Sequence, residues 1–225
     1  MRSLFIIAAT FLLFNFFSCK PQKDDKAFKV FNEGVSLNLK SIEEQNKRNF
    51  EKATTLNKES IDKFKETLKL DSAHPGARSF LGHSLYIDKQ FQQAINWFDQ
   101  ANKVNGETAA NYRELGLCKI NLGQIQSGKS DIDMAFSMDT TKEIREITIQ
   151  DLTDIGELAF LFGETYIREG DLAKGKDYKI FSIGVLTLAF EYDKSRKDIA
   201  LKIAGYAHKS GDEEIARKYN TLAGQ

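Results

Sequence analysis

Few residues of this chain have the types and spacing that chemistry requires. Two cysteines, Cys19 and Cys118, stand 99 positions apart, which makes neither a disulfide framework nor a metal-ligand pattern. Three histidines, His74, His83 and His208, are widely separated, and there is no His-Glu-x-x-His run. Catalysis needs groups drawn together with perturbed proton affinities, and neither a Gly-x-Ser-x-Gly elbow nor a phosphate-cradling glycine loop is present to do this. No enzymatic activity, metal or cofactor is therefore expected. Cys118, three residues after Leu115 in an apolar helical frame, reads as a small buried residue. The 32 basic residues balance 32 acidic ones, so no global field attracts nucleic acid or an anionic membrane. What remains is Cys19, at the junction of two different materials.

Before Cys19, Met1 and Arg2 supply positive charge, and Leu4 to Phe17 contains no charged residue; Ser18 is a small residue of the kind found at a cleavage site. This apolar run reads as a secretory signal, and it is shorter than the roughly 20 residues a spanning helix needs. By themselves the residues allow an ordinary cleaved signal or an uncleaved anchor. Ser18-Cys19 behind an apolar run resembles the bacterial lipoprotein signal, which implies that residues 1–18 are removed and that the Cys19 thiol carries lipid. Residues 19–26 then form a short polar tether. Lys20 stands where an inner-membrane retention signal places Asp, so the resemblance implies the outer membrane. Gln22-Lys23-Asp24-Asp25 is similar to a short export label that sends lipoproteins to the cell surface.

Over the whole chain 28 % of residues are charged and 41 % apolar, with only two prolines, a composition suited to helices. Leu81-Gly82 recurs as Leu115-Gly116 at an offset of 34 residues. In the first of these units Phe91, Ala94, Phe98 and Ala101 follow; in the second, Gly123, Ile125, Gly128, Ile132 and Ala135 do. Further units centre on Phe162-Gly163 with Gly170-Asp171 and Gly175, and on Ile203-Ala204 with Gly211-Asp212 and Ala216. A degenerate first unit has Gly34, Phe50 and Ala53.

These positions resemble the tetratricopeptide repeat, a pair of antiparallel helices A and B. The resemblance implies an all-α, right-handed α-solenoid of about five helix pairs over residues 27–224, in which the small residues allow close helix crossings. Spacings of 48 and 41 between successive small residues equal the repeat plus two heptads and plus one, so helices lengthened in phase are expected, one of them over residues 178–190. The spacing of 47 is not such a multiple. Its 13 extra residues, near 143–154, are expected to form a separate short helix or loop, with N-caps from Asp139-Thr140-Thr141 and Thr153-Asp154.

Function in this family lives on the concave groove lined by the A helices. Transferred residue by residue, its groove positions are Ser79, His83, Tyr86 and Ile87; Arg113, Leu117, Ile120 and Asn121; Phe160, Glu164, Ile167 and Arg168; and Leu201, His208 and Lys209. The resemblance thus implies a protein or peptide partner with apolar anchors and an acidic group facing Arg113, Arg168 and Lys209. His74, beside Pro75, reads as an exposed turn residue. The expected function is an outer-membrane or surface-anchored lipoprotein scaffold; an assembly factor for barrels or secretion machinery, or a regulator of cell-wall hydrolases, are alternatives.

Overall fold

A computed structural model describes residues 25–224. The signal segment, Cys19 and the tether up to Asp24 lie outside the described residues. Ten α-helices and no strand are formed among those described: α1 (Asp25–Asn46), α2 (Phe50–Leu70), α3 (Ala77–Ile87), α4 (Phe91–Asn105), α5 (Ala109–Asn121), α6 (Ile125–Met138), α7 (Lys142–Arg168), α8 (Leu172–Tyr192), α9 (Lys197–Lys209) and α10 (Glu213–Ala223). Consecutive helices form five hairpins, and the A helices α3, α5 and α7 also touch in succession. The fold is an all-α helical-repeat solenoid.

Each hairpin turns in the same way. The residue after the last turn of helix A takes a left-handed conformation, and the next amide reaches back five residues to a helix carbonyl. These closing bonds are Asn49 N to Glu44 O, Gln90 N to Leu85 O, Gln124 N to Lys119 O, Asp171 N to Tyr166 O and Asp212 N to Ala207 O, all 2.8–2.9 Å. Glycine supplies the positive φ in the last three repeats, whereas Arg48 (φ 63°) and Lys89 (φ 60°) adopt it in the first two. Asp171 and Asp212 then cap α8 and α10 by accepting from Lys174 N and Ile215 N.

The small residues sit where helices cross. A Cβ on Gly116 would lie 2.6 Å from the Gly128 carbonyl oxygen, and one on Gly128 would lie 2.5 Å from that of Gly116. Gly163 and Gly175 form the same crossing in the fourth pair. Two hydrophobic clusters result. One gathers Phe64, Leu81, Leu85, Phe98, Leu115 and Cys118; the other gathers Leu117, Ile120, Ile132, Ile149, Leu152, Leu186, Ile199 and Ile203. Helix α5 belongs to both, so it is apolar on opposite faces. Cys118 is fully buried, and burial pushes its thiol far above the ordinary range, leaving it a packing residue.

Lengthening follows the heptad spacing in the first and fourth pairs. α1 and α2 span 22 and 21 residues and α8 spans 21, against 15 in α4. The segment 143–154 differs from expectation. It is no separate element but the start of α7, which has 27 residues against 13 in α5. Two heptads are added to helix A, while α6 has 14 residues against 15 in α4, and together these produce the irregular 13. Thr148, Ile149, Leu152, Thr153 and Gly156 are buried at helical spacing along this start, and packing therefore keeps it helical. Thr153 is consequently not a cap: its hydroxyl donates to Ile149 O at 2.7 Å within the helix. His74 is also placed differently. It is 1 % exposed and packs against Phe28 and Phe31, with ring centroids 4.6 and 4.4 Å away.

Candidate functional site: the A-helix surface

Between α3 and α5 lies a cleft of about 250 Å³. Phe80, Phe98 and Ala110 give it an apolar floor, and Ser79, His83, Asn111 and Glu114 frame it. His83 Nδ1 lies 2.7 and 2.9 Å from the two Glu114 carboxylate oxygens. A carboxylate only accepts, so Nδ1 carries the proton and Nε2 is the atom left to meet a ligand. Burial alone would lower the imidazole pKa, but the hydrogen bond to Glu114 and the charge of that carboxylate outweigh it, and the net shift is upward. The Asn111 side chain is oriented from behind by donating to Asn102 Oδ1 at 2.9 Å.

The next two A-helix interfaces carry ion pairs of the same kind. Arg113 Nε donates to Thr148 Oγ1 at 3.0 Å, and its Nη2 bonds Asp151, joining α5 to α7. Lys202 Nζ pairs with Glu157 at 2.6 Å, joining α7 to α9. Thus α3, α5, α7 and α9 are laced in succession by His83–Glu114, Arg113–Asp151 and Glu157–Lys202. A cation held in such a pair no longer offers an unpaired charge to a ligand.

Of the groove residues expected from the sequence, Ser79 and His83 come together in the cleft. Tyr86 is partly buried beside Phe91 where the two hydrophobic clusters meet, and burial raises its phenol well above the usual range. Arg113 is engaged with α7. Leu117 and Ile120 line no groove: both are fully buried with Ile149 and Leu152, which the long start of α7 supplies. Phe160 is likewise in the core, 3 % exposed, stacked on Tyr206 at 3.8 Å with an 8° interplanar angle. The Lys209 ammonium lies 5.9 Å from that ring. Glu164 pairs with Lys179 of α8, and Arg168 donates to Thr165 on its own helix at 3.2 Å. Asn121 donates to Leu117 O at 2.9 Å and lines a different cleft, of about 250 Å³, with Tyr178 and Phe181 of α8. His208 is exposed and 2.7 Å from Glu213.

Sequence reading missed Phe80, Glu114, Asp151, Glu157 and Lys202. Glu114 and Lys202 precede buried repeat positions on their helices, and a charge there at repeat spacing was the available signal. Asp151 was hidden because its segment was not read as helix A. Farther along the A helices, α7 exposes Leu158 and Leu161, and α9 exposes Leu201. Among the described residues no cluster of His, Cys, Asp or Glu could hold a metal, and no helix is long and apolar enough to cross a membrane.

No family model matches the chain. A stretch of 59 residues, 26 % of the chain, is 34 % identical to sperm-associated antigen 1 of Rattus norvegicus, and the mouse protein matches at 33 % over 58 residues. These stretches correspond to only 7 % and 6 % of those proteins. Among solved structures, MamA from Desulfovibrio magneticus RS-1 superposes with a TM-score of 0.46 at 14 % identity, covering 88 % of this chain and 93 % of that one. YrrB, described as a tetratricopeptide-repeat protein with an unusual peptide-binding site, superposes with a TM-score of 0.40 at 16 % identity, covering 88 % and 89 %.

Proposed function

We propose that this chain is a lipid-anchored scaffold of the bacterial outer membrane that binds a protein or peptide partner on its A-helix surface. The observation that carries the binding half is the cleft between α3 and α5, with its apolar floor of Phe80 and Phe98 and the His83–Glu114 pair at its edge. Such a site takes a bulky apolar side chain and offers His83 Nε2 to a polar neighbour on the same ligand. Exposed Leu158, Leu161 and Leu201 extend the surface with further apolar anchors. The address rests on the sequence: an apolar leader ending at Ser18-Cys19, and Lys20 after the cysteine.

A photo-reactive residue at Leu161, 60 % exposed, should capture a defined partner in intact cells, whereas the same residue at Met134 on α6, 45 % exposed, should not. Equal capture from both positions would reject the groove. Separately, Cys19→Ala should move the protein from the membrane fraction to the soluble one. Unchanged partitioning would reject the anchor and leave the groove reading intact.

A further inference from the structure

The cleft between α3 and α5, at about 250 Å³, is smaller than the roughly 300–1,000 Å³ of pockets that enclose a whole small molecule. It has room for one side chain of a larger ligand. Its floor and its charges decide which one.

Phe80 is held from behind: Phe31 meets it edge to face with 5.3 Å between ring centroids, and Phe64 lies 5.6 Å away. Phe98, the other ring of the floor, is 1 % exposed. The floor is therefore in place before a ligand arrives. An aromatic ring entering here meets further rings, and such pairs gain energy beyond the area they bury. An aliphatic side chain obtains the burial alone.

The charges at the rim are already matched. Glu114, whose side chain is 16 % exposed, is engaged by His83 through both oxygens. Arg113 and Asp151, the other charged groups that act on His83, are paired with each other. Below the raised His83 pKa, the imidazolium cancels Glu114 as Arg113 cancels Asp151. A ligand carboxylate would put a second anion on one imidazolium, and a ligand ammonium would bring a second cation to Glu114. Either leaves one charge unmatched in a partly buried site, which is unfavourable. An uncharged acceptor disturbs nothing. It takes the hydrogen that the imidazolium carries on Nε2, in a charge-assisted bond. The Ser79 hydroxyl at the same rim can donate or accept in turn.

We infer, granting that partners bind on the A-helix surface, that this cleft takes an aromatic side chain from within a partner's chain, with an uncharged backbone carbonyl beside it accepting from His83 Nε2. A C-terminal residue is disfavoured by its carboxylate, and an N-terminal one by its ammonium. The occupant is an internal aromatic residue with no charged group next to its ring.

The test is titration of the isotope-labelled protein at pH 6, where His83 is protonated, with four probes. N-acetyl-phenylalanine methylamide mimics an internal residue; N-acetyl-phenylalanine carries a carboxylate, phenylalanine methylamide an ammonium, and N-acetyl-alanine methylamide no ring. Saturable shifts of the Ser79, His83, Ala110 and Glu114 amides are expected with the first, at a Kd on the order of 1 mM for so small a probe. The other three should bind at least about tenfold more weakly. Ala110→Trp fills the cleft from an exposed position on the first turn of α5, so it should abolish the shifts without touching the core. Equal or tighter binding of a charged probe or of the alanine probe would overturn the assignment while leaving the A-helix surface as the binding face. Shifts that stay linear into the tens of millimolar with every probe, or that survive Ala110→Trp, would overturn it as well, and capture from Leu161 then shows whether the surface itself still binds.

Discussion

Replacing Gly116 by alanine tests the close helix crossing on which the repeat stack depends. The added Cβ would stand 2.6 Å from Gly128 O, 2.7 Å from Ile132 Cγ1 and 3.2 Å from Ile132 N. Ordinary contact begins at 3.4 Å, so α5 and α6 must part by nearly an ångström at their tightest point, and two of the three obstacles are backbone atoms that cannot rotate away. Overpacking of this kind costs about 1–3 kcal/mol, and backbone obstruction places Gly116→Ala at the upper end. Alanine regains about 1 kcal/mol of helix propensity. The net loss is about 2 kcal/mol, or roughly 4–8 °C in Tm for a chain of this size. Gly205, in the middle of α9, has nothing within 4 Å of its Cβ direction, so the same change there brings the propensity without the clash. Gly205→Ala should raise Tm by about 1–4 °C. Melting followed by circular dichroism at 222 nm reads both. If Gly116→Ala melted at or above the parent, the crossing would not be as tight as the geometry requires; if both variants fell together, propensity and packing would have been assigned wrongly.

Three further outcomes follow from the geometry. Leu117→Ala should cost about 3 kcal/mol in urea unfolding, because Leu117 is fully buried; a groove-lining leucine would cost far less. Arg48→Gly should stabilise by about 0.5–1 kcal/mol by relieving a left-handed arginine, read as a higher melting temperature. The His83 pKa is raised above 6.5 in the folded chain, so its stabilising contribution is full below that value and is lost as pH rises through the raised one. His83→Gln should flatten this part of the stability–pH curve, and an unchanged curve would contradict the His83–Glu114 pairing.

The small residues Gly82, Gly116, Gly163 and Ala204 were legible at once, because a close crossing admits few substitutes and therefore leaves a periodic mark. The turn glycines were equally legible. Arg48 and Lys89 were not, since their side chains carry no sign of the left-handed conformation that the same turn imposes on them. The start of α7 was obscured by arithmetic: two added heptads and one residue removed elsewhere combine into a number that no single helix rule predicts. The groove suffered for the same reason. Transferring Leu117, Ile120 and Phe160 to a concave lining assumes helices A of standard length, and the extra turns of α7 supply Ile149 and Leu152 to the cluster that buries Leu117 and Ile120.

Local sequence by itself determined the helix pairs, their count, the three glycine turns and the sites where backbones meet, because these depend on spacing within some tens of residues and on what a missing side chain permits. Which of the transferred residues stay exposed was decided by the tertiary structure alone. Arg113 became a strut to Asp151, Phe160 a stacking partner of Tyr206, and His83 a cleft residue oriented by Glu114, since exposure and charge pairing depend on what the next repeat places alongside, at distances that no periodicity encodes.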